Sequence, residues 1–194
     1  MRKLTKEDLI DIAAYERICD RRLGEVIGLK RRRRVAVGPL VTLLFENRDT
    51  VRSQIQEMMR AERLVDEAAI QAELDVYNDL VPEDGELSAT LMIEVSEPGR
   101  VREVLDRFIG LDRGDRVFMR FEAGMIVPAL FEAGRSREDR ISAVHFVLFR
   151  LDETSRPAFM SGGGRVDLVI DHPGYRAEAP IDPETRRALM EDLA

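Results

Sequence analysis

Between residues 87 and 95 the chain alternates without a break, with Leu87, Ala89, Leu91, Ile93 and Val95 set against Ser88, Thr90, Met92 and Glu94. Successive side chains of a strand point to opposite faces, so this pattern specifies a strand with one buried face and one fixed register. Such a strand cannot stand alone; it needs neighbouring strands and a covering layer. The second half of the chain supplies strand patterns over residues 116–122, 125–131, 143–150, 165–171 and 175–179, and residues 40–45 add a strand that is apolar on both faces. Pro128 brings no N–H to a ladder, which predicts an edge or a bulge for the strand that holds it.

Helical spacing fills most of the remainder. Thr5, with Asp8 three residues on, opens a pattern carrying Leu9, Ile12, Ala13 and Ile18. A second helix over residues 20–30 is weakened by Gly24 and Gly28. Asp49 or Thr50 is the expected N-cap of a helix to about residue 63, Asp66 starts another, and Pro98 opens a third that ends at Gly110. A short helix is expected over 154–160, and a closing one over 183–193 capped by Asp182. The expected fold class is α+β, a mostly antiparallel sheet packed with an N-terminal helical segment and additional helices. A single domain over residues 1–194 is expected, with a basic helical segment at 1–34, strands plus two helices at 35–95, and a mainly β part with a C-terminal helix at 96–194.

One cysteine, Cys19, rules out an intramolecular disulfide, an iron–sulfur cluster ligated by this chain alone and a Cys-rich structural zinc site. The same scarcity points to reducing cytosol, and the expected location is cytoplasmic. Glu7, Asp8 and Asp11 interrupt the N-terminus where a signal peptide needs an apolar core, and the longest nearly apolar stretch, residues 35–45, is too short to span a membrane.

Carboxylates and histidines give the candidate chemistry. On the helix over 50–63, Glu62 falls about 20° from Val51, on the apolar side, and Arg48 lies about 60° from it. A carboxylate in that place must be ion-paired, metal-bound or shifted in pKa; the structural alternative is that Glu62 lies at a fraying helix end and reaches water, or pairs with Arg48. Glu46, Glu57, Glu62 and Glu73 supply enough oxygen ligands for a hard-metal or iron site if they converge, although no Glu-x-x-His pair of the di-iron type is present. His145 sits in a strand apolar on both faces, as a metal ligand, a general base or a neutral core histidine. His172 is a site residue beside Asp171 or part of a turn with Pro173 and Gly174, for which positive φ at Gly174 is expected. Ser161 to Gly164 lacks the ending and context of a phosphate loop and reads as a turn. Cys19, near Arg21 and Arg22, is either a reactive thiol or an inert half-buried one.

The charge is uneven. Of 30 basic side chains 27 are Arg; residues 1–34 carry a net +5 and residues 35–194 a net −12. Lys30, Arg31, Arg32, Arg33 and Arg34 form an anion-binding candidate, set against a solvated face or pairing with carboxylates of this chain or a partner. Without an aromatic stacking platform or a nucleic-acid motif, a nucleic-acid role is disfavoured.

The stretches Leu43-Leu44-Phe45-Glu46-Asn47, Gln54-Ile55-Gln56-Glu57-Met58, Arg60-Ala61-Glu62-Arg63, Tyr77-Asn78-Asp79-Leu80-Val81-Pro82, Ser142-Ala143-Val144-His145-Phe146 and Asp171-His172-Pro173-Gly174-Tyr175, with the alternating strand, resemble an uncharacterised bacterial family described only as a domain of unknown function. Its genes often stand beside those of rubrerythrin-like proteins and Cys-rich iron–sulfur oxidoreductases. The resemblance therefore implies a redox or peroxide-stress setting. A chain with one cysteine would serve there as an accessory protein to an iron–sulfur oxidoreductase or rubrerythrin-like partner. Competing readings are a metal-dependent or acid–base enzyme using Glu46, Glu57, Glu62, His145 and Arg48, and an anion- or nucleic-acid-binding module using Lys30 to Arg34. A homo-oligomer is left open.

Overall fold

A computed structural model describes residues 1–137 and 139–194. The elements run α1 (Ile12–Glu16), α2 (Cys19–Arg31), β1 (Arg34–Val37), β2 (Val41–Glu46), α3 (Arg48–Glu62), α4 (Glu67–Tyr77), β3 (Glu86–Ile93), α5 (Val101–Asp106), β4 (Val117–Phe121), β5 (Ile126–Phe131), β6 (Val144–Arg150), α6 (Ser155–Met160), β7 (Val166–His172), β8 (Tyr175–Pro180) and α7 (Pro183–Leu193). The eight strands form one antiparallel sheet in the order β1-β2-β3-β6-β5-β4-β7-β8, curled so far that β1 and β8 come into contact. The fold is α+β, with the sheet nearly closed into a barrel.

Alternation along β3 puts Leu87, Ala89, Leu91 and Ile93 inside. They meet Phe45, Met119, Phe149, Leu168 and Ile170 from other strands, with Phe108 beyond α5, Phe159 of α6 and Leu189 of α7 completing the core. A second apolar layer lies outside the sheet, where Val51, Ile55 and Met59 of α3 meet Leu74 of α4, Leu4 and Phe146.

The seam between β1 and β8 is bridged by one hydroxyl. Tyr175 Oη donates to the Val37 carbonyl at 2.6 Å and accepts the Leu40 N–H at 3.2 Å. Gly38 makes room for it: a Cβ there would stand 2.4 Å from that oxygen, and its φ of 70° is one that other residues rarely adopt.

Pro128 lies in β5, which has neighbours on both sides and is not an edge. The strand changes partner at this residue: Ile126, Val127 and Pro128 pair with β4, whereas Ala129, Leu130 and Phe131 pair with β6. A residue without an N–H sits where the ladder is handed from one neighbour to the other, at a corner of the curled sheet.

Helix starts depart from the sequence reading in three places, one of them at Pro98, which opens a 3-10 turn, Pro98–Arg100, while α5 itself runs only over Val101–Asp106 and stops short of Gly110. Thr5 and Asp8 form their capping box around a single 3-10 turn, Lys6–Asp8, and Asp11 then caps a separate α1 by accepting from Ala14 N–H. The start of α3 is capped by Asn47, whose side chain accepts the N–H groups of Asp49 and Thr50 at 3.1 and 3.0 Å, not by Asp49 or Thr50. The caps expected at Asp66 and Asp182 are present, each accepting backbone N–H groups of the first helical turn.

Candidate functional site

The basic run at the junction of α2 and β1 is divided by burial. Arg33, Val35 and Val37 share one parity of the extended segment and are buried, whereas Arg32, Arg34 and Ala36 are exposed. Arg33 Nη1 and Nη2 each donate at 2.7 Å to a different oxygen of Asp192 on α7, and Nη2 also donates to the Ala188 carbonyl at 3.1 Å. Asn47 adds a 3.4 Å contact to the same carboxylate. Burial pushes the Asp192 carboxyl up, against the opposing pull of Arg33 and Asn47. A guanidinium and a carboxylate so enclosed stabilise each other only as a pair, since removing either leaves a buried charge.

With Arg33 held inward, Arg32 and Arg34 on either side of it point outward, and Arg31 is exposed at the end of α2. Lys30 is half-buried. Among the described residues, none of Lys30, Arg31, Arg32 and Arg34 makes an ion pair. The run is therefore one structural arginine within an array of unpaired cations. Multidentate arginines facing solvent suit carboxylate or phosphate groups of an approaching partner.

The carboxylates named from the sequence do not converge. Glu46 is buried on β2; its Oε1 accepts from Thr90 Oγ1 at 2.8 Å and its Oε2 has no partner among the described residues. Glu57 faces α1, accepting from Tyr15 Oη at 2.6 Å and from Arg60 at 2.9 and 3.1 Å. Burial opposes its ionisation, but Tyr15 and Arg60 hold its carboxyl below the ordinary value. Burial and the adjoining Glu57 push the Tyr15 hydroxyl well above its ordinary value, so it remains a donor. Glu62 is exposed in the last turn of α3, which is the alternative of a helix end that reaches water; Glu73 is half-buried on α4. Both adjoin Tyr77, whose hydroxyl is raised by burial and by these two charges. Arg48 does not pair with Glu62, since it stands at the opposite end of α3 and its guanidinium meets Asp8. Among the described residues no three His, Cys, Asp or Glu side chains gather closely enough to hold a metal ion.

The histidines differ. His145 lies on the inner face of the sheet, paired across to Leu91, with its ring edge-on to Phe131 at 5.5 Å. Its Nε2 bonds the Ser142 carbonyl at 2.9 Å, while Nδ1 is buried without a partner among the described residues. Burial lowers its pKa, so the ring is neutral near pH 7. His172 has both nitrogens occupied, Nε2 by the Ile109 carbonyl and Nδ1 by the Gly174 N–H, each at 3.1 Å. Gly174 is not one of the positive-φ glycines expected of a type II turn. Its need is space: a Cβ would stand 1.9 Å from the Arg107 carbonyl.

Cys19 is half-buried at the first position of α2, its thiol 3.4 Å from the Glu16 carbonyl. Gly162 and Gly164 take positive φ. Together with the end of α6, the carbonyls of Gly163 and Gly164 receive Arg186 of α7, a buried guanidinium that meets carbonyls in place of a carboxylate.

The family model for a protein of unknown function, DUF3501, matches residues 3–193, and the chain belongs to that family. The chain is similar to a protein of unknown function from Burkholderia pseudomallei K96243, solved by crystallography, with 37% sequence identity, a TM-score of 0.91 and 100% of each chain covered. No curated protein matches. No helix among the described residues is long and apolar enough to cross a membrane.

Proposed function

We propose that this protein is an accessory factor that binds an acidic protein partner through the cations at the α2–β1 junction, Lys30, Arg31, Arg32 and Arg34. The supporting observation is the division of the basic run, in which Arg33 is consumed by Asp192 while its neighbours stand without carboxylates among the described residues. Cations lacking partners within the chain are the ones that gain most from opposite charge on another molecule, in affinity and in rate of encounter. The net charge of −7 and the absence of a stacking platform favour a protein over a nucleic acid.

The partner proposed is an iron–sulfur oxidoreductase or a rubrerythrin-like protein, the choice that the family resemblance suggests, and the proposed setting is a redox or peroxide-stress pathway. The reading as an enzyme draws less support, since Glu46, Glu57, Glu62 and His145 occupy separate places.

Calorimetric titration with a purified iron–sulfur oxidoreductase and a rubrerythrin-like protein from the same genome tests the proposal. Wild type should bind one of them, and Arg32→Glu with Arg34→Glu should weaken binding at least tenfold while leaving the circular dichroism spectrum unchanged. Equal affinity for wild type and variant, or no binding to either protein at low salt, would reject it.

A further inference from the structure

Helix α2 has 13 residues and none is buried, although it carries Leu23, Val26, Ile27 and Leu29. Two of these are accounted for: Val26 and Leu29, with Arg22 and Glu25, line a cleft of about 260 Å³ against α3. The opposite side has no such cover. At 100° per residue, Asp20, Leu23, Gly24, Ile27, Gly28 and Arg31 fall within about 70° of one line, roughly 180° from the cleft. Leu23 is 49% and Ile27 60% exposed, and a Cβ on Gly24 or Gly28 would meet nothing within 4 Å.

We propose that a second copy of this chain packs on that stripe, with the two α2 helices antiparallel about a two-fold axis near Glu25 and Val26. The order of residues carries the choice of occupant. Antiparallel pairing about that point sets position 20 opposite 31, 23 opposite 28 and 24 opposite 27. Each large apolar side chain then faces a glycine of the other copy, so Leu23 and Ile27 fill the space that Gly28 and Gly24 leave, and the helix backbones can approach closely. Asp20 of each copy faces Arg31 of the other, and neither makes an ion pair within its own chain among the described residues. A parallel pair would instead put Asp20 on Asp20 and Arg31 on Arg31. The stripe is thus complementary to itself in size and charge, as a two-fold interface between identical chains requires. A single pair of short helices is a small contact, so the dimer is weak and forms with rising concentration.

The inference does not rest on the proposed partner: the two surfaces share Arg31, but Arg32 and Arg34, on which the partner's test relies, lie outside the stripe. Sedimentation velocity over a concentration series reads it directly. Wild type should move from monomer to dimer as concentration rises. Ile27→Glu, at an exposed position, should keep the fold and shift the midpoint at least tenfold upward. Asp20→Arg and Arg31→Asp should each weaken the dimer, and the two together should restore it. A monomer at every concentration, a dimer indifferent to Ile27→Glu, or a double charge swap that fails to restore association would overturn the inference. The concentration series and Ile27→Glu leave Lys30, Arg31, Arg32 and Arg34 untouched, so their outcome is separate from that of the partner titration.

Discussion

Arg33 and Asp192, 159 positions apart, meet in a buried two-pronged ion pair whose contacts are both 2.7 Å, so the turn that leads into the first strand is fastened to the last helix. Both side chains are almost wholly enclosed, at 2% and 4% exposure. This pair determines which arginines of the run remain for anything else.

Asp192→Ala should lower unfolding stability by about 3–5 kcal/mol, because it strands the Arg33 charge in the interior. Replacing both, as Arg33→Met with Asp192→Leu, should cost much less, since the buried charge disappears with its partner. Urea denaturation of the three proteins checks the difference; equal losses in the single and double variants would show that packing rather than charge is at stake.

At the seam of the sheet, Tyr175→Phe removes the donor to the Val37 carbonyl and the acceptor for Leu40 N–H. A loss of about 1–3 kcal/mol is expected, the cost of leaving buried backbone groups unsatisfied. Hydrogen exchange should rise first at Val37 to Val41, and a uniform rise across all strands would place the effect elsewhere.

Asp8 links the N-terminal arm to α3 through Arg48, and its carboxyl is lowered to about 2 by the Thr5 N–H and then by Arg48. The ordinary Asp value is about 3.9. A carboxylate depressed in the folded state contributes stability that is complete above the unfolded value and is lost as pH falls toward the folded one. The arm should therefore stay docked at pH 5 and loosen between about pH 4 and pH 2, seen as faster exchange at Leu4 and Ile10. In Asp8→Asn that pH step should vanish.

Much of this architecture is legible in the sequence because it rests on local periodicity. The alternation from Leu87 to Ile93, the Asp66 and Asp182 caps and the strand containing His145 depend on neighbours a few residues away. Pro128 was legible as a disturbance but not as a change of partner, since strand order depends on the whole chain. For Arg33 a usable signal is present, since it shares the parity of Val35 and Val37, which marks an inward position; pairing with a carboxylate of this chain is one reading of the run, but nothing local says which arginine pairs or that Asp192 is its partner. Glu62 shows the opposite limit: its angular position marks the apolar side of α3, and its exposure follows instead from the alternative reading, a helix end beyond the cover of its neighbours. Arg186 gives no local signal, since its carbonyl partners lie more than 20 residues away.

Whether the outward arginines bring in an acidic partner is reported most directly by the association rate. Stopped-flow binding of the purified iron–sulfur or rubrerythrin-like partner should show a rate constant that falls at least tenfold between low and physiological ionic strength in wild type. That salt dependence should largely disappear in Arg32→Glu with Arg34→Glu, while dissociation changes less. An association rate indifferent to salt, or equal salt dependence in wild type and variant, would contradict the assignment of Arg32 and Arg34 as the docking cations.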